Sequence, residues 1–255
     1  MSDSVLAVFG DWHGDLGWSI NAVKAAAREG AKTMVSVGDV GLDWPGPKRN
    51  RWEQRMNALL MELGATLIVS PGNHDNTSRI DLEEVQPDGL ITWRTNIRVL
   101  PKGGRTVIEG LRIGGLGGAL SVDRQFRVEG KSYWGDEQPT IEQAEKLMAG
   151  GGLDILIAHD VPMGVPVQGA FDLPADLVEE ADRTRILLRD VIDRTGVPNV
   201  FAGHWHQRVT HELVHPGGHS TRVDVLDMEG SRGNAVLVWP GTAPLRIEPL
   251  IIRGR

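Results

Sequence analysis

The chain of 255 residues has no cysteine, which excludes disulfides, a Cys-type zinc site and a thiol nucleophile, and leaves the redox compartment open. Basic charge is in deficit: 27 Lys and Arg stand against 34 Asp and Glu, for a formal net charge of −7. There is thus no basic footprint for gripping a nucleic-acid backbone, and long nucleic acid is not an expected partner, although a local basic groove escapes a whole-chain count. Part of the negative charge can be neutralised by bound cations. Long apolar runs are also missing; none approaches membrane-spanning length, so no membrane partner is expected. Met1-Ser2-Asp3-Ser4 carries no basic region and is followed by no cleavable apolar stretch. The expectation is a soluble cytoplasmic protein.

What is present is ordinary for a globular chain, with 40% hydrophobic and 24% charged residues. Thirty-two glycines and fourteen prolines predict many loops between short elements. The length can bury a sizeable core, and residues 1–255 are expected to form a single large α/β domain.

The chain is organised around Ser70-Pro71-Gly72-Asn73-His74-Asp75, which offers an amide oxygen, an imidazole and a carboxylate in consecutive positions. It follows the apolar run Ala65 to Val69, which reads as a buried strand that Pro71-Gly72 breaks. The polar side chains then project from the strand's C-terminal end, where α/β proteins bind ligands. Alone, the stretch could be a polar turn, with Asn73 and Asp75 capping the next segment. Matching clusters elsewhere change the balance. Val5 to Phe9 is an apolar run ending in Gly10-Asp11-Trp12-His13-Gly14-Asp15, with Asp15 expected to cap a helix from Trp18 to Arg28. Thr33 to Val37 ends in Gly38-Asp39, Asp154 to Ala158 in His159-Asp160-Val161-Pro162, and Asn199 to Ala202 in Gly203-His204-Trp205-His206.

Between these clusters, Arg51 to Leu63 reads as an amphipathic helix. Gly89 to Trp93 and Ile97 to Leu100 look like short strands, and Thr106 to Gly115 like a hairpin around Glu109-Gly110. Leu116 to Gln138 is a long loop carrying Asp123, Arg124, Arg127, Tyr133, Trp134 and Glu137, and loops of that length are more often functional than idle. Thr140 to Gln143 is a capping box opening a helix to Met148, and Ala175 to Thr195 is a further helix. Strands at 222–226, 235–239 and 245–248 arrive without helices between them and are expected to be antiparallel strands closing a sheet. His211, His215 and His219 fall in turn-rich sequence and read as surface imidazoles.

Five of the eight histidines lie at strand-to-loop junctions beside Asp11, Asp39 and Asn73. Oxygen and nitrogen donors without sulfur suit two divalent first-row ions, Mn²⁺ first, with Fe, Zn or Ni as alternatives. Two such ions about 3.5–4 Å apart clamp an in-line displacement at phosphorus. In order and approximate spacing, Asp11-x-His13, Gly38-Asp39, Gly72-Asn73-His74-Asp75, His159 with Pro162, and Gly203-His204-x-His206 resemble the five blocks of the calcineurin-like metallophosphoesterases. The resemblance spans residues 5 to about 206. It implies a four-layer α-β-β-α sandwich of two facing mixed sheets flanked by helices. It also implies Asp11, His13 and His206 on a first metal, Asn73, His159 and His204 on a second, and Asp39 bridging both. His74 is then free to stabilise developing charge and protonate the leaving group, with a metal-bridging hydroxide as nucleophile.

The chain departs from the phosphoprotein phosphatases of that superfamily, which carry Asp-Arg three residues after the bridging Asp; here Leu42 and Asp43 stand there. A usual clamp for a phosphomonoester dianion is missing, which favours a phosphodiesterase acting on small phosphodiesters such as cyclic nucleotides. Phosphomonoester, phosphoprotein or dinucleoside-polyphosphate hydrolysis are the alternatives, followed by a non-catalytic scaffold of the same fold. In the long loop, Arg124 or Arg127 can meet a phosphate oxygen, and Tyr133 or Trp134 can stack on a base. Asp75 is the remaining candidate for contact with a small phosphorylated substrate.

Overall fold

A computed structural model describes residues 4–169, 172–216 and 218–253. In chain order the elements are β1 (Leu6–Phe9), α1 (Leu16–Arg28), β2 (Thr33–Ser36), α2 (Arg51–Leu63), β3 (Thr66–Val69), the single turn α3 (Thr77–Ile80), β4 (Ile91–Arg94) and β5 (Ile97–Val99). The hairpin β6 (Gly104–Ile108) and β7 (Leu111–Leu116) follows, then α4 (Ile141–Ala149), β8 (Ile155–Ala158), α5 (Ala175–Thr195) and β9 (Asn199–Ala202). Four strands end the chain: β10 (Val209–Val214), β11 (Ser220–Val225), β12 (Ala235–Trp239) and β13 (Arg246–Pro249).

They form two mixed sheets, ordered β13-β12-β1-β2-β3-β5-β4 and β10-β11-β9-β8-β7-β6. Strands β1, β2, β3 and β5 run parallel in the first, and β7, β8, β9 and β11 in the second. Alternation along each strand sorts its side chains between two faces. In β1, Leu6 and Val8 meet Ile155, Ile157 and Phe201 of the facing sheet. Ala7 and Phe9 point the other way, into a core with Val23 of α1 and Met56 and Leu60 of α2. Leu156 and Val200 pack likewise against Leu147 of α4 and Leu188 and Ile192 of α5. This is the expected α-β-β-α sandwich. Its middle layer is sensitive to volume: removing the fully buried Phe201 ring by Phe201→Ala would cost about 3–5 kcal/mol.

Local signals explain most boundaries. The Asp15 carboxylate accepts the Trp18 amide at 2.9 Å, so α1 starts at Leu16, two residues ahead of the expected start. The Thr140 to Gln143 capping box is formed. Glu109 and Gly110 both have positive φ, 50° and 80°, the geometry of a two-residue hairpin turn.

The C-terminal third differs in part from expectation. β11 pairs parallel with β9 and antiparallel only with β10, whereas β12 and β13 belong to the other sheet and run antiparallel from β1 outward. Lack of a helix does not by itself force antiparallel pairing, because β10 provides the return needed to bring β11 alongside β9. β10 itself, with His211 in it, replaces the expected turn. His215 is buried, with Nδ1 2.7 Å from Asp193 Oδ1 and Nε2 2.9 Å from Thr221 Oγ1, so it is not a surface imidazole. No helix among the described residues is long and apolar enough to cross a membrane.

Candidate metal centre

Because β1, β2 and β3 run parallel in one sheet and β8 and β9 in the other, their C-terminal ends open on one rim. Asp11, His13, Asp39, Asn73, His74, His159, His204 and His206 all lie within five residues of such an end. The structure brings them together. Asp39 Oδ2 is at the centre: Nε2 of His159 lies 3.3 Å away, that of His13 3.7 Å and that of His74 3.9 Å. On one side, Asp11 Oδ2 is 3.3 Å from His206 Nε2, and the His13 and His206 rings are 4.9 Å apart. On the other, Asn73 Oδ1 is 3.0 Å from His159 Nε2, and the His159 and His204 rings are 5.2 Å apart. Three sets each bring their ligand atoms within 4.8 Å of one another, close enough to hold one ion: Asp11, His13 and His206; Asp11, Asp39 and His159; and His13, Asp39 and His74.

Tight backbone makes this convergence possible. His13, Asp39, His204 and His206 all have φ between 38° and 64°, a region non-glycine residues rarely adopt. Such strain persists where surrounding structure over-determines it, commonly at functional sites. Two glycines are required by close approach. A Cβ on Gly72 would sit 2.1 Å from Asp39 Oδ1, and one on Gly203 would sit 2.3 Å from Asp11 Oδ1.

The electrostatics suit cations. Asp11 and Asp39 are buried, and neither pairs with a lysine or arginine among the described residues. At His13, burial opposes the charged form, but hydrogen bonds to Asp39 and Glu229 and the charges of Asp39 and Asp11 raise its pKa to about 11. At His159, burial is likewise outweighed by the Asp39 charge, giving about 9. The field that holds protons on these imidazoles would equally hold divalent ions, and the nitrogen and oxygen donors match that use. Burial and the charge of His159 push His204 well below its ordinary value. Burial also lowers His74, with Arg127 adding to the effect and Asp39 opposing it.

Four of the five expected substrate contacts have different fates. Asp75 is fully buried and accepts the amides of Asp39, Gly41, Leu42 and Gly72 at 2.8–2.9 Å. It is a clamp between the loops after β2 and β3, and no substrate can reach it. Burial and the nearby Asp39 charge lift its pKa to about 6 against the pull of those amides. Trp134 is only 3% exposed, so its ring packs under the loop and cannot stack on a ligand. Arg124 is turned to α5, where it makes a bidentate pair with Glu180 at 2.7 Å. Arg127 does reach the site: its Nη1 and Nη2 lie 3.0 and 2.9 Å from the two ring nitrogens of His74. A neutral imidazole has one acceptor, so at most one of these contacts is a hydrogen bond and the guanidinium otherwise lies against the ring. Asp43 is held by Arg49 and Asn76.

Three supporting residues had no role assigned from the sequence, although Glu137 was named among those of the long loop. Glu229, in the loop between β11 and β12, meets His13 Nδ1 at 2.9 Å. Ser121 Oγ accepts from Asn73 Nδ2 at 2.9 Å and donates to Glu137 Oε2 at 2.6 Å, which aims the Asn73 oxygen at His159. Glu137 is buried, which raises its pKa to about 7 against the hydrogen bonds from Ser121. The long loop itself was a signal for Ser121 and Glu137. Glu229 had none, because 216 positions separate it from His13. Of the two tryptophans inside the blocks, Trp12 is core against Phe9 and Trp52, and Trp205 donates to Asp160.

The same architecture recurs in solved structures. TT1561 of Thermus thermophilus is similar over 98% of this chain and 100% of its own, with 16% identity and a TM-score of 0.60. A dimetal phosphatase from Danio rerio is similar over 98% and 99%, with 11% identity and a TM-score of 0.53. A 5′-nucleotidase precursor from Thermus thermophilus is similar over 98% of this chain but 54% of its own, with 14% identity and a TM-score of 0.52. At these identities the likeness is one of fold. No curated protein matches in sequence. The family model of the calcineurin-like phosphoesterases matches residues 4–208, a span that contains all five strand-end clusters, and the chain belongs to that family.

Proposed function

We propose that the protein is a dinuclear-metal phosphodiesterase acting on small phosphodiesters such as cyclic nucleotides. The observation that carries this reading is the buried Asp39 carboxylate, which His13, His74 and His159 approach at 3.3–3.9 Å. Asp11, His13 and His206 would hold one divalent ion, and Asn73, His159 and His204 a second, with Asp39 shared between them. Mn²⁺ is the first choice, and Fe, Zn or Ni also suit the donors. Two ions there would lower the pKa of water to near neutrality and offset the charge on the phosphate oxygens.

The chain's own residues do the rest. Asp75 fixes the loops that carry Asp39 and Asn73. The Ser121 and Glu137 pair orients the Asn73 amide, and Glu229 orients the His13 ring. His74 lies at the edge of the site beside Arg127, placed to pass a proton to the departing oxygen. Arg127, itself paired with Asp123 at 2.6 Å, is the one arginine of the long loop that reaches the site, since Arg124 is turned away to Glu180. One guanidinium suits a diester monoanion better than a monoester dianion.

The test is hydrolysis of a chromogenic phosphodiester and its monoester counterpart by metal-stripped protein with Mn²⁺ restored. Faster metal-dependent cleavage of the diester is expected. Faster cleavage of the monoester would overturn the assignment in favour of a phosphatase.

A further inference from the structure

Beside the metal rim lies a cavity of about 510 Å³, within the usual size range of small-molecule sites. Its apolar walls include Leu16, Trp44, Pro47 and Trp52. Its inner edge is made by Gly14 and Gly41, which stand next to His13 and two residues from Asp39. Trp44 joins cavity and site directly. Its indole N–H donates to the His74 carbonyl, and its ring lies 6.2 Å from the His74 imidazole. At the outer edge are Lys48 and Arg51, both exposed, and neither forms an ion pair among the described residues. Glu53, the acidic residue of the lining, is buried and accepts the Asp43 amide.

In an in-line displacement the leaving group departs on the side of its proton donor. With His74 as that donor, the leaving group departs beside the His74 ring, which Trp44 and the cavity border on one side and Arg127 on another. We infer that the cavity receives the leaving group, and that this group is a nucleotide: an aromatic base against the tryptophan wall and a phosphate at Lys48 and Arg51. The inference rests on the phosphodiesterase reading and narrows it to dinucleotides, with the bond to a 3′-oxygen cleaved. The hydroxide oxygen forms a bond to phosphorus, the P–O3′ bond breaks with its electron pair on O3′, and His74 supplies the proton to that oxygen. Two 5′-nucleotides result when the substrate bears a 5′-terminal phosphate. A cyclic mononucleotide would place a base in the cavity but no second anion at its edge.

The experiment compares kcat/KM for diadenylate with and without a 5′-terminal phosphate, using Mn²⁺-loaded protein and bis(p-nitrophenyl) phosphate as the reference diester. The wild type should prefer the phosphorylated dinucleotide by about two- to thirtyfold, the sum of two exposed charge contacts. In K48A/R51A that preference should collapse towards unity, mainly through KM. Leu16→Trp, which fills the cavity, should lower kcat/KM on both dinucleotides more than on the reference diester. Equal use of the two dinucleotides by the wild type, or a preference kept by the double variant, would overturn the inference while the reference diester is still cleaved. Failure to cleave the reference diester would instead overturn the phosphodiesterase reading, and this inference with it.

Discussion

The rim of strand ends and the long loop from Leu116 to Gln138 both supply the candidate site, but they are built differently. At the rim, each side chain leaves a buried strand of four residues and has at most five residues of backbone in which to turn. Pairing fixes each strand, so the position of its first loop residues is nearly decided. The loop has more than twenty residues, one short 3₁₀ turn at Arg124–Phe126, and side chains whose positions depend on where distant elements lie. Chemistry at the rim therefore follows from local sequence, and chemistry in the loop follows from tertiary contacts.

Removing Asp39, the rim carboxylate proposed to be shared by two ions, should have the largest effect. Asp39→Ala should lose bound metal and lower turnover by at least about a thousandfold, a loss of several kcal/mol in the transition state; metal analysis and steady-state kinetics check both. His74→Ala, also on the rim, should keep its metal while turnover falls on the order of a hundredfold or more. Equal metal loss in the two variants would break the division of the rim into metal-holding and proton-donating residues.

Loop residues should act more weakly and through the rim. Glu137→Gln or Ser121→Ala should weaken metal binding by about ten- to a hundredfold, because Asn73 loses its orienting partners. An effect as large as that of Asp39→Ala would erase the distinction between the two regions. The smallest effect concerns pH. The folded-state pKa of Glu137 is about 7, raised from an ordinary 4.5, so the unfolded chain releases this proton first as pH rises. Glu137 therefore withdraws stability from the metal-free protein between about pH 4.5 and 7, and no further above that. Chemical denaturation across this window should show a shallower fall in Glu137→Gln than in the wild type.

The contrast between regions also explains what could be read in advance. The sandwich was legible because β1, β2, β3, β8 and β9 are apolar runs separated by helical patterns. The rim donors were legible because they follow those runs directly. Asp75 shows the limit: it sits next to His74 in sequence, yet reversal of the backbone buries it under four amides. Trp134 and Arg124 carried the right chemistry for a ligand, but the core and Glu180 take them. Glu229 reaches His13 only because β11 and β12, in different sheets, bring their connecting loop back to the rim. His215 reads as polar turn, and only the packing of α5 against β11 supplies Asp193 and Thr221 around it. Residue type and local spacing do not encode such meetings.

The most direct test of the central claim is a Mn²⁺ titration of the metal-stripped protein, with bound metal and phosphodiester hydrolysis followed together. Two ions per chain, with hydrolysis appearing as the second binds, is the predicted result. Full hydrolysis with no metal, or with a single ion bound, would contradict a dinuclear centre shared through Asp39.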